Sequence, residues 1–353
     1  MNMNGFLCLA ASLLITCMAR ADVDVENENA ESFTLSAYFR IRSGQFGGPV
    51  EVPNRSFLVE SAGFTADFDI TDNTEGQIQL ETRPDEIYLK DCYLLWEPLD
   101  PVEVQAGRFK KPFCLNTVLS RWNLQSMDHS VTDGELEDLL YSGRDIGATV
   151  LLDPGISGLP EVSLGIFNGS PDWRNQDNEI QYVARAEFRL PREITLGAGL
   201  TSLRLGELDL ESVEGYICSS RQMAMGADLQ FRTGLTGDLS LQLRGEFVKG
   251  DNWDRADVIY GESSPEFSTW WWTGGLTWKT DKPSLESLTL SVSMGSWKPD
   301  RTVDLREDEL SFTLILDTGS PVSVAGAMIF HRPRNMLFEE ERTDYILEAS
   351  VDL

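Results

Sequence analysis

The residues best suited to act on a small charged molecule are basic, and they sit close together. Arg108, Lys110 and Lys111 form a tight group; Arg121 and Arg144 follow. A cluster of ammonium and guanidinium groups lowers the energy of a nearby anion by Coulomb attraction, most strongly where low-dielectric walls exclude water. The same side chains at strand ends also contact lipid head groups. Both readings stand at this stage. Hydrolytic chemistry has little to work with. It usually needs a histidine base. The chain has two histidines, His129 and His331, neither beside a nucleophile motif. Of five cysteines, Cys8 and Cys17 lie in an apolar N-terminal run. Cys92, Cys114 and Cys218 are widely spaced and read as small apolar side chains, neither a disulfide framework nor a zinc pattern. No metal site and no cofactor are expected.

The elements that must position the basic group lie within residues 101–151. Val102, Val104 and Ala106 alternate with Glu103, Gln105 and Gly107, as in a strand. The basic group follows, and Pro112 ends central-strand pairing. Strict alternation puts Arg108 and Lys110 on the face of Val104, and a bulge at Gly107 reverses that. A long stretch without period-2 pattern comes next. Within it a short helix is expected over 134–141, capped by Thr132 or Asp133, with Gly143 just past its end. A strand resumes at Arg144, with Ile146, Ala148 and Val150 opposite Asp145, Gly147 and Thr149. A connection as long as 114–143 inside a regular scaffold is functional or disordered.

Around this loop the chain alternates almost without pause. Phe33, Leu35, Ala37, Phe39 and Ile41 face away from Arg40 and Arg42. Tyr182, Ala184, Ala186 and Phe188 oppose Arg185, Glu187 and Arg189. Met225, Ala227, Leu229 and Phe231 oppose Asp228 and Arg232. Leu241, Leu243 and Phe247 oppose Arg244 and Glu246. The strand over 87–96 has ambiguous faces. Tight turns such as 72–73, 153–158 and 317–320 take turns with longer polar connections such as 44–53, 206–215 and 250–266. About sixteen strands are counted. Short turns at one end, long loops at the other and roughly ten residues per alternating strand are the pattern of an outer-membrane barrel. The polar faces, rich in Gly, Ser, Thr and Gln, read as a lumen wall. Arg40, Arg42, Arg185, Arg189, Arg232 and Arg244 lie on it, mixed with Asp67, Glu103, Glu161, Glu187, Asp228 and Glu246. Trp96, Trp122, Trp173, Trp253, Trp270, Trp271, Trp272 and Trp297 read as an interfacial girdle.

The bulk numbers agree. Residues 6–18 are apolar and Ala19-Arg20-Ala21 is a small-x-small site, so residues 1–21 read as a signal peptide and 22–353 as one barrel domain. The formal net charge is −28, and losing the signal removes one arginine and no carboxylate. Nucleic acid is excluded as a partner on bulk electrostatics.

Gly-Arg-Phe-Lys-Lys-Pro-Phe (107–113), the long loop, Gly-Arg-Asp-Ile-Gly-Ala (143–148) and Ser-Leu-Gly-Ile-Phe-Asn-Gly (163–169) succeed one another. In this order they resemble the phosphate-selective porin O/P family. Asp91-Cys92-Tyr93-Leu94 before them and Val183-Ala184-Arg185-Ala186 after them fit the flanking strands. The resemblance implies an all-β fold, a closed antiparallel transmembrane barrel of about sixteen strands with the third loop (114–143) folded inward. It implies an outer-membrane porin, a homotrimer passing small ions, including anions such as phosphate, and meeting lipid and lipopolysaccharide outside. It also implies basic side chains at the constriction, for which Arg108, Lys110, Lys111, Arg121 and Arg144 are the candidates. The different-class alternative is a structural or adhesive barrel with a blocked lumen.

Overall fold

The alternating residues form strands because one face of each can be apolar and the other polar, with a period of two. The computed structural model describes residues 32–45, 56–83, 86–120, 130–156, 158–170, 175, 178–204, 221–253, 265–282, 284–319, 322–334 and 341–352. The expected signal peptide, Arg121, Trp122, His129, Trp173 and Cys218 lie outside these residues. Sixteen strands are present: β1 Ser32–Gln45, β2 Ser56–Thr71, β3 Thr74–Arg83, β4 Glu86–Leu99, β5 Val102–Lys110, β6 Arg144–Leu152, β7 Glu161–Phe167 and β8 Gln181–Leu190. The second half holds β9 Ile194–Arg204, β10 Arg221–Gly234, β11 Leu239–Asp251, β12 Glu266–Lys282, β13 Leu285–Lys298, β14 Arg306–Asp317, β15 Val322–Arg334 and β16 Arg342–Asp352. Each pairs antiparallel with its sequence neighbours, and β1 pairs with β16 from Tyr38↔Asp352 to Gln45↔Tyr345, which closes the ring. A closed barrel leaves no unpaired edge, so every strand can satisfy its backbone groups in lipid.

The outward face is apolar: Leu94, Leu164, Leu200, Leu243, Leu290 and Phe312 are all exposed. A continuous apolar band of this kind is stable in a bilayer and is an aggregation hazard in water. The opposite residues are polar and covered, among them Thr65, Glu81, Thr201, Glu246 and Ser311. The ambiguous faces of β4 have a local cause. Its register against β3 jumps from Gln79↔Asp91 to Leu80↔Leu89, so Lys90 is an extra residue. Such a bulge breaks strict alternation. Lys90 and Asp91 both reach inward partners, Glu81 at 2.6 Å and Arg144 at 2.9 Å.

The girdle expectation needs correction. Trp96 and Trp272 are exposed on the outer face as expected. Trp271 and Trp297 are buried, facing inward, and Trp253 hydrogen-bonds the third loop. They are apolar mass inside the barrel, where that loop docks.

Candidate functional site

The loop between β5 and β6, hereafter L3, is the one connection with helices among the described residues: α1 Leu115–Val118 and α2 Val131–Asp138. The expected helix is therefore present but begins earlier, after Ser130, and ends at Leu139. The left-handed residue just past the helix end is Leu140, φ +61°; Gly143, expected in that place, takes φ +76° three residues later, at the entry to β6.

L3 lies inside the barrel. Leaving β5, it passes over β9, where the Phe113 carbonyl sits so close that a Cβ on Gly199 would lie 2.0 Å from its oxygen. The same carbonyl accepts from Arg185 Nη1 of β8 at 3.4 Å. The Asn116 amide donates to the Glu246 carboxylate of β11 at 3.1 Å. Helix α2 packs on β12 and β13. In a ring of sixteen, β13 stands opposite β5, so L3 crosses the lumen. On the way back, Trp253 Nε1 donates to the Leu139 carbonyl at 2.9 Å, Gln181 Nε2 to the Leu140 carbonyl at 2.9 Å, and the Tyr141 hydroxyl to the Asp251 carbonyl at 2.7 Å. Under these bonds lies an apolar core of Phe109, Phe113, Leu136, Tyr141, Phe167, Val248, Phe267 and Trp297. The barrel thus holds a small protein core on one side of its lumen.

The basic candidates fall in three kinds of place. Lys110 is at the root of L3, and its Nζ donates to the Leu119 carbonyl at 2.5 Å. Its register partner Arg144 grips both oxygens of Asp91, at 2.9 and 3.0 Å. These two therefore point to the L3 side. No register shift occurs there; instead Gly107 takes φ +138°, and a Cβ would meet the Cys92 carbonyl at 2.2 Å. The expected bulge is replaced by a glycine conformation. Arg108 donates to the Leu89 carbonyl at 3.2 Å, on the neighbouring strand β4.

Lys111 is placed differently from the expectation. It is 2% exposed, with Nζ bonded to the Leu140 carbonyl at 2.6 Å and to Gln181 at 3.1 Å. Burial pushes its amine down to about 8. Its ammonium fastens the two ends of L3 instead of facing lumen water.

On the wall, Arg40 contacts Ser61 and Arg42 pairs with Glu348 at 2.8 Å and Glu60 at 3.4 Å. Arg185 and Asp228 form a buried two-point ion pair beneath Phe113. Arg244 is buried on the same face as Glu246. Arg189 and Arg232 are exposed near the short-turn end, where Arg189 pairs with Asp153 and Glu161. His331 sits between Glu307 (3.3 Å) and Asp344 (3.4 Å) on the β14–β16 wall.

Residues that hold L3 were not singled out from sequence: Gly199, Gln181, Val248, Phe267 and Asn116. The available signal was a misfit on the polar face. Val248, Phe267 and Trp297 put apolar side chains there near the long-loop ends, and Gly199 leaves space.

The profile of the phosphate-selective porin O and P family matches residues 19–202, more than half of the chain. The chain belongs to this family. It is an outer-membrane channel protein, and L3 is its inward loop. Solved structures of outer-membrane proteins share the fold. The channel DcaP of Acinetobacter baumannii has a TM-score of 0.63 at 9% identity, covering 95% of this chain and 100% of that one. OmpT of Vibrio cholerae has 0.62 at 9%, covering 94% and 100%. An anion-selective porin from Comamonas acidovorans has 0.61 at 9%, covering 91% and 99%. No curated protein sequence matches significantly.

Proposed function

We propose that this porin passes small hydrated ions by passive diffusion through the space L3 leaves open, with a modest preference for anions of the phosphate type. The supporting observation is Lys110. It stands where L3 leaves the wall, bonds only a backbone carbonyl, and among the described residues forms no ion pair. Selectivity follows the charges at the narrowest part more than the charge of the whole chain. Arg144, Arg42 and Arg185 are each compensated by a carboxylate, so they contribute dipoles more than net charge. The large acidic excess elsewhere is screened beyond about 8 Å at physiological salt.

The family description names phosphate, and one structural neighbour is described as anion-selective. A trimer agrees with a neighbour solved in trimer form. Residues 1–21 would direct export, and lipid and lipopolysaccharide would surround the apolar band. The test is the reversal potential across a KCl gradient. The expected result is weak anion selectivity that Lys110→Gln reduces. Cation selectivity in the unaltered protein would overturn the reading, as would an unmoved potential in Lys110→Gln.

A further inference from the structure

The lipid-facing side of the barrel is not uniform. Across β6 to β9, two rows of outward residues line up in register. One is Ala148, Ile166, Tyr182 and Ser202; the other, one pleat nearer the short turns, is Val150, Leu164, Ala184 and Leu200. Leu164, Ile166, Tyr182 and Leu200 stand exposed on this face. Ala148, Ala184 and Ser202 are short, and between their longer neighbours they leave an apolar groove of about 410 Å³.

The long-loop end of this groove is basic. In the next row up, Arg204 of β9 and Arg221 of β10 are register partners, and both are exposed. Like charges directly opposite each other on neighbouring strands repel. Arg221 Nη1 donates to Ser202 Oγ at 3.3 Å, and its guanidinium carbon lies 5.6 Å from the centre of the Tyr182 ring. A hydroxyl and an aromatic face thus hold this cation at the mouth of the groove. Arg204 meets Glu179 at 3.4 Å, whereas Arg221 forms no ion pair among the described residues. Two adjacent guanidinium groups are met by one carboxylate, in a chain whose formal net charge is −28.

The long loops of such barrels lie on the outer side of the membrane. The mouth of the groove therefore sits at the head groups of the outer leaflet, the depth at which an amphipathic ring such as that of Tyr182 is favoured. Lipopolysaccharide, the glycolipid of that leaflet, joins phosphate groups to acyl chains. A guanidinium matches phosphate in charge and in geometry, and the apolar groove below matches an acyl chain.

We propose that this face is a lipopolysaccharide site: a phosphate lies on Arg221 and Arg204, and an acyl chain of the same molecule lies in the groove over Ala148 and Ala184. The phosphate also relieves the repulsion between the two arginines. The inference rests on the reading that lipopolysaccharide surrounds the apolar band, and it is independent of what passes through the pore.

The probe is lipid A carrying its phosphates, compared with the same lipid stripped of phosphate. Binding to the folded protein in detergent micelles is followed by native mass spectrometry. The phosphorylated lipid should bind more tightly than the stripped one. The double variant Arg204→Gln with Arg221→Gln should bind it about tenfold more weakly, as for the loss of one charge-assisted hydrogen bond. Ala184→Phe, which fills the groove from the lipid side, should weaken binding of both lipids. Inorganic phosphate should not compete. If either folded variant binds as the unaltered protein does, the proposal is overturned, and should one variant not fold, the other decides alone. Displacement of the lipid by inorganic phosphate also overturns it, since the arginines would then be a site for the free anion. Loss of an oligomer on an unheated gel in Ala184→Phe, with lipid binding unchanged, overturns it in favour of a second copy of this chain. If the two lipids bind alike, lipid still surrounds the band and only the head-group site fails. If neither binds, the reading of a lipopolysaccharide shell fails as well.

Discussion

Gly199 and Phe113 touch backbone to backbone across the lumen wall: the Phe113 carbonyl occupies the place a Cβ on residue 199 would take, 2.0 Å away. Gly199 lies on the inward face of β9, between outward-facing Ala198 and Leu200. Nothing in strand geometry asks for glycine here. The approach of L3 does.

Gly199→Ala should therefore push the root of L3 off the wall and toward the lumen axis. Overpacking of this kind costs about 1–3 kcal/mol. Single-channel conductance should fall, and the folded barrel should unfold at lower temperature on a heat-modifiability gel. Unchanged conductance in a folded variant would show that Phe113 does not border the path.

Arg185 and Asp228 carry the second expectation. Both are buried, and two hydrogen bonds of 2.7 and 3.0 Å join them. Removing one partner leaves a buried charge, at a cost of about 3–5 kcal/mol. Asp228→Ala should be strongly destabilised, measured as the unfolding midpoint in detergent. Replacing both by leucine should recover most of the loss, because no lone charge remains. Equal damage in the single and double variants would refute this.

Much of the architecture was legible because period-2 patterning is a direct consequence of the pleat. Phe39/Arg40, Ala184/Arg185 and Phe247/Glu246 each declare their faces by residue type. The sixteen-strand count and the inward third loop follow from turn spacing and from resemblance. What remained hidden has physical causes. In β4 the bulge at Lys90 scrambles the alternation. In β12, Trp270-Trp271-Trp272 puts tryptophans on both faces: Trp272 is exposed on the outer face, while the buried Trp271 donates to Glu246 inside the barrel. In β15, small residues such as Ala325 and Ala327 blur the contrast between faces.

At the site, sequence found the basic group but not its bonding. Lys111 looks like Lys110 in the chain, yet one ammonium is enclosed by Leu140 and Gln181 and the other stands at the loop root. That difference comes from where L3 returns, a contact between residues far apart in sequence. The same holds for Val248, Phe267 and Trp297. They read as misfits on a polar face until the loop that covers them is in place.

The proposed channel is a water-filled barrel narrowed by L3. The most direct test is single-channel conductance in a planar bilayer, comparing the intact protein with a folded variant lacking 124–136. Discrete open steps are expected for the intact protein and larger steps for the variant. Equal conductance in the two, or no conductance from the intact barrel, would contradict it.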